Sequence, residues 1–232
     1  MSKRGIVFGA ANGLGREIAI ELARSGVNLI TVDKDFKNLE SLDDEIKKLN
    51  VSNTIAHLDL EDNPKIFELA NVVFERFQSI DYLISCAAVL GELAPLNCYN
   101  TKLWNKVINI NLNANAHIIK AFFPILKNSK FANAIFTTCN LPKLNIAYWG
   151  AYMISKAGLE KMVEIFAAEN NDSNIQVSLF DPGPIDTKIR SQAMPTEDKT
   201  KITSPKKVAK FFVKNLSNNS FKHGDVLQYP QK

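Results

Sequence analysis

The sequence predicts an α/β fold in which a doubly wound parallel sheet of about seven strands carries helices on both of its faces. Short apolar segments alternate with longer amphipathic segments along the whole chain, and a glycine-rich turn joins the first strand to the first helix. Parallel strands need crossover connections, and the helices in those connections cover both faces of the sheet. No repeat, linker or low-complexity segment divides the chain, so we expect one domain over residues 1–232.

The composition is that of a globular protein with a sizeable core. The chain has 232 residues, of which 46% are hydrophobic and 22% are charged. No apolar run approaches the ~20 residues that span a bilayer, and the N-terminus lacks the long apolar stretch of a signal peptide. We therefore expect a cytoplasmic protein without a membrane partner. The net charge of +4 is spread over segments of mixed sign, so we expect no nucleic-acid partner.

The cysteines and histidines predict no metal site. Cys86, Cys98 and Cys139 lack the spacing of metal ligands and cannot all pair with one another, so reduced thiols are expected. The three histidines lie outside every motif that we identify.

The first half of the chain predicts four strands and three helices. The strands are short and apolar, and the helices carry apolar residues at intervals of three and four positions. In chain order, these elements are a strand at Arg4–Phe8, a helix at Arg16–Ser25, a strand at Asn28–Val32, a helix at Phe36–Leu49, a strand at Thr54–Leu58, a helix at Pro64–Phe77 and a strand at Asp81–Ser85.

The second half of the chain predicts three further strands and three helices from the same apolar patterns. Residues 188–203 are polar without clear periodicity, which predicts a mobile loop. In chain order, the elements are a long helix at Thr101–Leu126, a strand at Ala132–Thr138, a helix at Trp149–Glu169, a strand at Ile175–Phe180, a helix at Pro205–Leu216 and a strand at Asp225–Tyr229.

A turn with the spacing G-x-x-x-G-x-G, formed by Gly9, Gly13 and Gly15, links the first strand to the first helix. Such glycines permit a tight turn and let the backbone approach a pyrophosphate, which then lies at the helix N-terminus. The motif by itself fits an ordinary strand-to-helix turn equally well. It indicates a dinucleotide site only together with other signals.

Asp33 ends the second strand, roughly 20 residues after the glycine turn, where an acidic residue can accept hydrogen bonds from an adenosine ribose. Its carboxylate would also repel a 2′-phosphate, which favours NAD over NADP. Lys34 leaves NADP possible, because a cation there can tolerate the phosphate. The alternative is that an aspartate here caps the helix at 36–49, and Asp33 and Asp35 can each take one of the two roles.

Tyr152 and Lys156 lie four positions apart in a predicted helix, so their side chains share one face, one turn apart. A nearby cation favours the phenolate and lowers the pKa of the phenol. A tyrosine tuned in this way can pass a proton to or from a substrate oxygen. The spacing is common in helices, so the pair predicts catalysis only beside a cofactor site.

Taken together, the motifs resemble those of the short-chain dehydrogenase/reductase family over nearly the whole chain. Asp59 matches the family's adenine contact and Asn111 its structural and catalytic asparagine. Pro182-Gly183 followed by Thr187 matches the segment that closes over the nicotinamide. The resemblance implies a Rossmann fold with a cofactor site made of Gly9, Asn12, Gly13, Leu14, Gly15, Asp33, Asp59, Leu60, Ala87, Tyr152, Lys156, Pro182, Gly183, Ile185 and Thr187.

The resemblance implies an NAD(P)-dependent oxidoreductase that transfers a hydride between the nicotinamide and a small carbonyl or alcohol substrate. Tyr152 would be the general acid/base, and Lys156 would lower its pKa and bind the nicotinamide ribose. Asn111 would hold a water that links Lys156 to solvent. NAD is the expected cofactor, with NADP possible.

The same resemblance implies three further properties. A loop at about residues 184–204 would grip the substrate, and the family's members are commonly homodimers or homotetramers. Within the family, Trp149–Tyr152 and Ala193–Asp198 resemble the bacterial YciK-like branch.

One departure from the family pattern lies at the substrate. Cys139 stands thirteen residues before Tyr152, where the family usually has a serine that hydrogen-bonds the substrate oxygen. A thiol is a weaker donor than a hydroxyl, and the loss of one donor at a developing oxyanion costs ~3 kcal/mol, about a hundredfold in rate. Thr138 is the fallback, because a shift of one residue along a strand points a side chain to the opposite face.

Two other departures lie near the cofactor. The family's Asn-Asn-Ala-Gly segment is here Ser85–Ala88, where Ala88 adds a β-carbon, and Phe8 stands where a threonine usually supports the turn. We therefore expect either a working oxidoreductase, in which Cys139 or Thr138 replaces the serine, or a homologue that binds dinucleotide without turnover.

Overall fold

The structure is a computed structural model that describes residues 3–140, 144 and 146–230. Over these residues, seven parallel strands form one sheet in the order β3-β2-β1-β4-β5-β6-β7. The strands are β1 (Arg4–Phe8), β2 (Asn28–Asp33), β3 (Asn53–His57), β4 (Tyr82–Ser85), β5 (Ala132–Thr137), β6 (Ile175–Asp181) and β7 (Val226–Gln228). The predicted doubly wound α/β fold is confirmed.

Helices cover both faces of the sheet. They are α1 (Gly13–Arg24), α2 (Phe36–Lys47), α3 (Asn63–Phe77), α4 (Thr101–Ile108), α5 (Ala114–Lys127), α6 (Gly150–Ala168), α7 (Lys188–Ala193) and α8 (Pro205–Ser217). One apolar core joins the sheet to α3, α5 and α6, and a second joins it to α1, α2 and α8. The central strands are apolar along nearly their whole length because both of their faces are buried.

Phe8 belongs to the first of these cores. Its side chain is fully buried and packs edge-on against Phe122 of α5, with ring centroids 5.5 Å apart. The residue that departs from the family's threonine therefore stabilises the packing of the central strand against a helix. It does not contribute a side-chain hydrogen bond to the glycine turn.

The strand order reverses between β1 and β4. Connections from these two strands leave toward opposite faces, and a crevice opens at their carboxyl ends, which is where ligands bind in open sheets of this kind. The glycine turn follows β1, and Cys86 follows β4. The fold therefore places both segments at the same crevice.

The prediction of a single helix at 101–126 is wrong, because the helix is interrupted in its middle. A π-helical segment, Asn109–Asn113, separates α4 from α5. Within this segment, the side chain of Asn115 donates a hydrogen bond to the backbone carbonyl of Asn111 at 2.9 Å. Periodicity does not reveal such a segment, because the apolar spacing continues across it.

The prediction of a loop without regular structure at 188–203 is also wrong. This region contains α7 and a short 3₁₀ helix at Lys199–Lys201. Thr187 caps α7 by accepting a hydrogen bond from the backbone of Arg190, whose guanidinium makes a two-pronged ion pair with Glu197 at 2.6 Å. A helix of six residues is too short for its periodicity to be recognised.

The other predicted boundaries agree with the structure to within three residues. No helix among the described residues is long and apolar enough to cross a membrane.

Candidate functional site

A cavity of about 670 Å³ opens at the carboxyl ends of the central strands and is also lined by α7. It brings together residues that are far apart in the sequence. The predicted site residues that line it are Gly9, Asn12, Gly13, Leu14, Gly15, Asp33, Asp59, Leu60, Ala87, Thr138, Cys139, Tyr152, Lys156, Pro182, Gly183, Ile185 and Thr187. Asn111 does not line the cavity, because it is fully buried in the π-helical segment.

The glycine turn forms a cradle in which side chains do not fit. A Cβ on Gly9, where φ is +78°, would lie 2.6 Å from the backbone nitrogen of Ala87. A Cβ on Gly15 would overlap the carbonyl group of Gly9. The first turn of α1 lines the cavity, and within the described chain Asn12 gives it no side-chain cap. Free N–H groups at a helix N-terminus, beside bare backbone, fit the pyrophosphate of a dinucleotide.

Asp33, the last residue of β2, and Asp35 divide two tasks between them. The carboxylate of Asp33 accepts hydrogen bonds from the backbone N–H groups of Ala11, at 3.1 Å, and Asp35, at 3.0 Å. Asp35 is the N-cap of α2 and accepts a hydrogen bond from Asn38 at 3.2 Å. The capping alternative is therefore confirmed for Asp35. Asp33 braces the glycine turn from the cavity wall, and its contact with a ribose stays a prediction.

Lys34 and Asp59 face each other at the end of the cavity that Asp33 also lines, which we call the adenosine end. The ammonium of Lys34 lies 3.6 Å from the carboxylate of Asp59, and both side chains are more than 40% exposed. The cation that was expected to tolerate a 2′-phosphate is therefore already shared with a carboxylate.

Lys156 lies at the opposite end of the cavity, which we call the proton-transfer end. Its side chain is buried, and its ammonium donates a hydrogen bond to the carbonyl of Thr137 at 2.8 Å. Burial lowers the pKa of Lys156 because the charged form is desolvated, while Cys139, Cys86 and Glu160 oppose that shift. The ammonium is thus fixed in position by a backbone carbonyl at the end of β5.

Tyr152 is held as a neutral phenol. Burial raises the pKa of its hydroxyl above the ordinary value, and Cys139 and the carboxylate of Asp181 raise it further. The ammonium of Lys156 lies 6.0 Å from the centroid of the phenol ring. Burial outweighs any lowering of the Tyr152 pKa by Lys156 in this arrangement, and that lowering stays a prediction. A neutral phenol is the form that donates a proton.

Cys139 is the group that contacts this phenol. Its side chain interacts with the hydroxyl of Tyr152 and is one of the causes that raise the pKa of that phenol. The hydroxyl of Thr138 donates instead to the carboxylate of Glu160 at 2.7 Å, so its hydrogen is already used. The contact of either Cys139 or Thr138 with a substrate oxygen stays a prediction.

Asn111 organises the wall behind the cavity. Its side chain exchanges two hydrogen bonds with the backbone of Val89, at 2.8 and 2.9 Å, and donates to the hydroxyl of Ser155 at 3.1 Å. Asn115, which bonds the backbone carbonyl of Asn111, accepts in turn from the hydroxyl of Ser85 at 2.6 Å. The structure thus shows a structural role for Asn111, while a relay through a water stays a prediction.

Sequence reasoning missed several of these groups. Asn115 interrupts an apolar helix, and a polar residue on a buried face is a signal that could have drawn attention to it. Asp181, Glu160 and the pair of Arg190 with Glu197 carry no comparable signal, because their partners are distant or irregularly spaced in the chain. Among the described residues, no group of His, Cys, Asp and Glu side chains could hold a metal ion.

Comparison with known proteins identifies relatives of this chain. Residues 3–198 match the family model described as short chain dehydrogenase. The chain is 27% identical over 218 residues to the uncharacterized oxidoreductase YciK of Escherichia coli K12, which covers 93% of this chain and 86% of that protein.

Two solved structures resemble the present one over nearly their full length. A short chain dehydrogenase from Salmonella enterica serovar Typhi has a TM-score of 0.93 at 27% identity, covering 98% of this chain and 96% of that one. A short chain dehydrogenase from Shigella flexneri, complexed with NADP, has a TM-score of 0.92 at 27% identity, covering 97% of this chain and 96% of that one.

Proposed function

The chain belongs to the short chain dehydrogenase family and to its YciK-like branch, and on that premise we propose that it is a nicotinamide-dependent oxidoreductase that interconverts a carbonyl and an alcohol. One observation carries the proposal. The phenol of Tyr152 and the ammonium of Lys156 line the same cavity as the glycine cradle of α1. Proton transfer and dinucleotide binding are thus available in a single cleft.

The residues of the cleft have separate tasks. The bound nicotinamide supplies or accepts the hydride. Tyr152 donates the proton to the substrate oxygen in the reducing direction, because its raised pKa keeps the phenol protonated. Lys156 lies beside the ring, held by the carbonyl of Thr137, and its charge stabilises the phenolate as the proton leaves. Positioned acid–base groups of this kind accelerate reactions by about 10²–10⁴-fold.

Cys139 takes the place of a second hydroxyl donor to the substrate oxygen. A thiol donates a weaker hydrogen bond than a hydroxyl, so the oxyanion that develops in the transition state is less stabilised. We therefore propose a working enzyme with a reduced rate, or one whose substrate makes small demands on this contact.

The experiment is a screen of ketones, aldehydes and quinones for oxidation of NADH and NADPH. For a substrate that the unmodified protein reduces, Cys139→Ser is expected to raise kcat by about tenfold to a hundredfold. Cys98→Ser, at an exposed cysteine, is the matched control and is expected to leave kcat unchanged. A Cys139→Ser variant that is no faster on any accepted substrate would contradict the placement of Cys139 at the substrate oxygen.

A second candidate function follows from the same thiol. With Cys139 beside Tyr152 and the hydroxyl of Thr138 held by Glu160, neither Cys139 nor Thr138 offers the substrate oxygen a free hydroxyl in addition to that of Tyr152. The protein would then bind dinucleotide without turnover. This candidate is supported if both the unmodified protein and Cys139→Ser bind NADH yet reduce nothing in the screen.

The choice between NAD and NADP rests on two opposed observations. Asp33 lines the adenosine end with a carboxylate that disfavours a 2′-phosphate, whereas the relative from Shigella flexneri binds NADP. The expected preference for NAD therefore gains no support from the relatives. Both carboxylate oxygens of Asp33 accept hydrogen bonds from backbone N–H groups. Asp33 therefore has a structural role in the turn whichever of the two cofactors binds.

We also propose a cytoplasmic homodimer or homotetramer. The side chains of Ile154 and Ile165 on α6 are 45% and 52% exposed, which is consistent with an interface on this helix. Sedimentation of a monomer at all concentrations would contradict the oligomer.

A further inference from the structure

The cavity is lined by five cationic side chains among the described residues, and four of them are held by other groups. Lys34 pairs with Asp59 at 3.6 Å, Lys106 with Glu61 at 2.9 Å, Arg190 with Glu197 at 2.6 Å, and Lys156 donates to the carbonyl of Thr137 at 2.8 Å. Lys188 is the fifth. Within the described part of the chain we find no hydrogen bond or ion pair for its ammonium, and its side chain is exposed.

Lys188 lines the same cavity as the glycine turn. It is the first residue of α7, directly after Thr187, whose methyl carbon would lie 3.4 Å from a Cβ on Gly13. The N-cap of α7 therefore lies close to the glycine turn. The charge of Lys188 also reaches Asp35 at the adenosine end: the pKa of that carboxyl is lowered by the backbone of Asn38 above all, and Lys188 contributes.

The segment that carries Lys188 is anchored on both sides. The ion pair of Arg190 with Glu197 ties α7 to the residues that follow it. Before α7, Ile185 pairs with Thr203 in a parallel bridge. A cation on an anchored segment loses less conformational freedom on binding than a cation on a free loop.

The charges at the adenosine end make a further cation necessary for a phosphate. Asp33, Asp35 and Asp59 place three carboxylates there, whereas Lys34 is paired with Asp59 and the nearby Lys106 is paired with Glu61. A phosphate would meet net negative charge unless another cation approached. Resting on the proposed function, we propose that Lys188 of α7 binds a phosphate group of the dinucleotide and so couples cofactor binding to the segment that covers the substrate.

The experiment measures the affinity of the full-length protein for NADH and for NADPH by isothermal titration calorimetry. Lys188→Gln is expected to weaken binding by about tenfold, because a charge-assisted hydrogen bond to phosphate is lost. Lys188→Arg keeps the charge and is expected to bind close to the unmodified protein. Lys210→Gln removes the same charge from the exposed face of α8 and is the matched control.

The two nucleotides distinguish the phosphates. A loss confined to NADPH identifies the 2′-phosphate as the group that Lys188 binds, and an equal loss for both identifies the diphosphate. Unchanged affinity of Lys188→Gln for both nucleotides overturns this inference and leaves the proposed function intact. An unmodified protein that binds neither nucleotide overturns the proposed function, and this inference with it.

Discussion

The two ends of the cleft use charge in opposite ways. At the proton-transfer end, Lys156 is only 3% exposed and its ammonium is held by the carbonyl of Thr137. At the adenosine end, Lys34 and Asp59 form an exposed ion pair at 3.6 Å. Exposed pairs contribute about 0–1 kcal/mol and are screened by salt, whereas a buried charge is costly unless its surroundings are arranged for it.

This difference indicates which measurement each end controls. At the proton-transfer end, removing one side-chain atom changes the proton affinity of a group in a desolvated site. The effect of such a substitution therefore falls on kcat. At the adenosine end, charges are solvated and paired with one another, so changes there act on nucleotide affinity by modest factors. Substitutions can therefore be chosen to separate kcat from Kd.

The largest expected effect is that of Tyr152→Phe at the proton-transfer end. The substitution removes the hydroxyl that donates the proton and keeps the ring, so kcat is expected to fall by about 10³-fold while the Kd for NADH or NADPH is unchanged. Steady-state kinetics and calorimetry measure the two quantities separately. Tyr148→Phe is the matched control, because Tyr148 is 59% exposed and is expected to keep full activity.

The assignment of kcat to the proton-transfer end and of Kd to the adenosine end is contradicted if Tyr152→Phe binds the dinucleotide much more weakly than the unmodified protein. The phenol would then belong to the binding surface as much as to the chemistry. A loss of rate that is shared by Tyr148→Phe would likewise show that the assay responds to packing around α6.

The next largest effect is expected at the glycine turn, between the two ends. A Cβ on Gly15 would overlap the carbonyl of Gly9 and lie 3.2 Å from the Cβ of Cys86, so Gly15→Ala must displace backbone. We expect nucleotide affinity to fall by about a hundredfold and the free energy of unfolding by about 2 kcal/mol. Calorimetry and urea denaturation measure these two effects.

Gly26→Ala is the control for this substitution. Gly26 has a φ of +80°, but beyond its chain neighbours no described atom lies within 4 Å of an added Cβ, so only backbone strain is introduced. A loss of about 1 kcal/mol in unfolding free energy with unchanged nucleotide affinity is expected. If Gly15→Ala and Gly26→Ala lose nucleotide affinity equally, the loss does not arise from the cradle that the glycine turn forms.

The contrast between the ends also explains what the sequence could predict. The glycine turn and the pair of Tyr152 and Lys156 are encoded locally, by residues within one turn or one helix, so their spacing correctly predicted a strand-to-helix turn and a common helix. The strands followed from their continuous apolar character, which parallel strands with two buried faces must have.

Other features depend on residues that only the fold brings together. The raised pKa of Tyr152 comes first from burial, which a sequence does not display, and next from Cys139 and Asp181 on other elements. The bond of Thr138 to Glu160 joins different elements in the same way, and so does the influence of the charge of Lys188 on the pKa of Asp35. Local spacing carries no information about such pairs.

The smallest expected effect concerns the stability of the buried end at high pH. Cys86 follows β4, its sulfur accepts a hydrogen bond from the hydroxyl of Thr137 at 3.3 Å, and burial raises its pKa from 9.0 to about 11. The folded state therefore binds this proton more tightly than the unfolded state. That contribution to stability is fully present below about pH 9 and is lost as pH rises to about 11.

Cys86→Ala removes the titrating thiol and is expected to make the loss of stability over this range smaller by about 2 kcal/mol. Urea denaturation at a series of pH values measures it, with Cys98→Ala at an exposed cysteine as the control. The difference between the variants isolates the thiol, because Tyr152 and Lys156 titrate in all of them.

Tyr152 acts in the same direction as Cys86, since its raised pKa also favours the folded state only while it is protonated. Lys156 acts in the opposite direction, since its lowered pKa makes the folded state more stable as pH rises toward 10.5. Parallel stability curves for Cys86→Ala and Cys98→Ala would mean that the thiol is solvated, and the contrast between a buried and an exposed end would then not extend to Cys86.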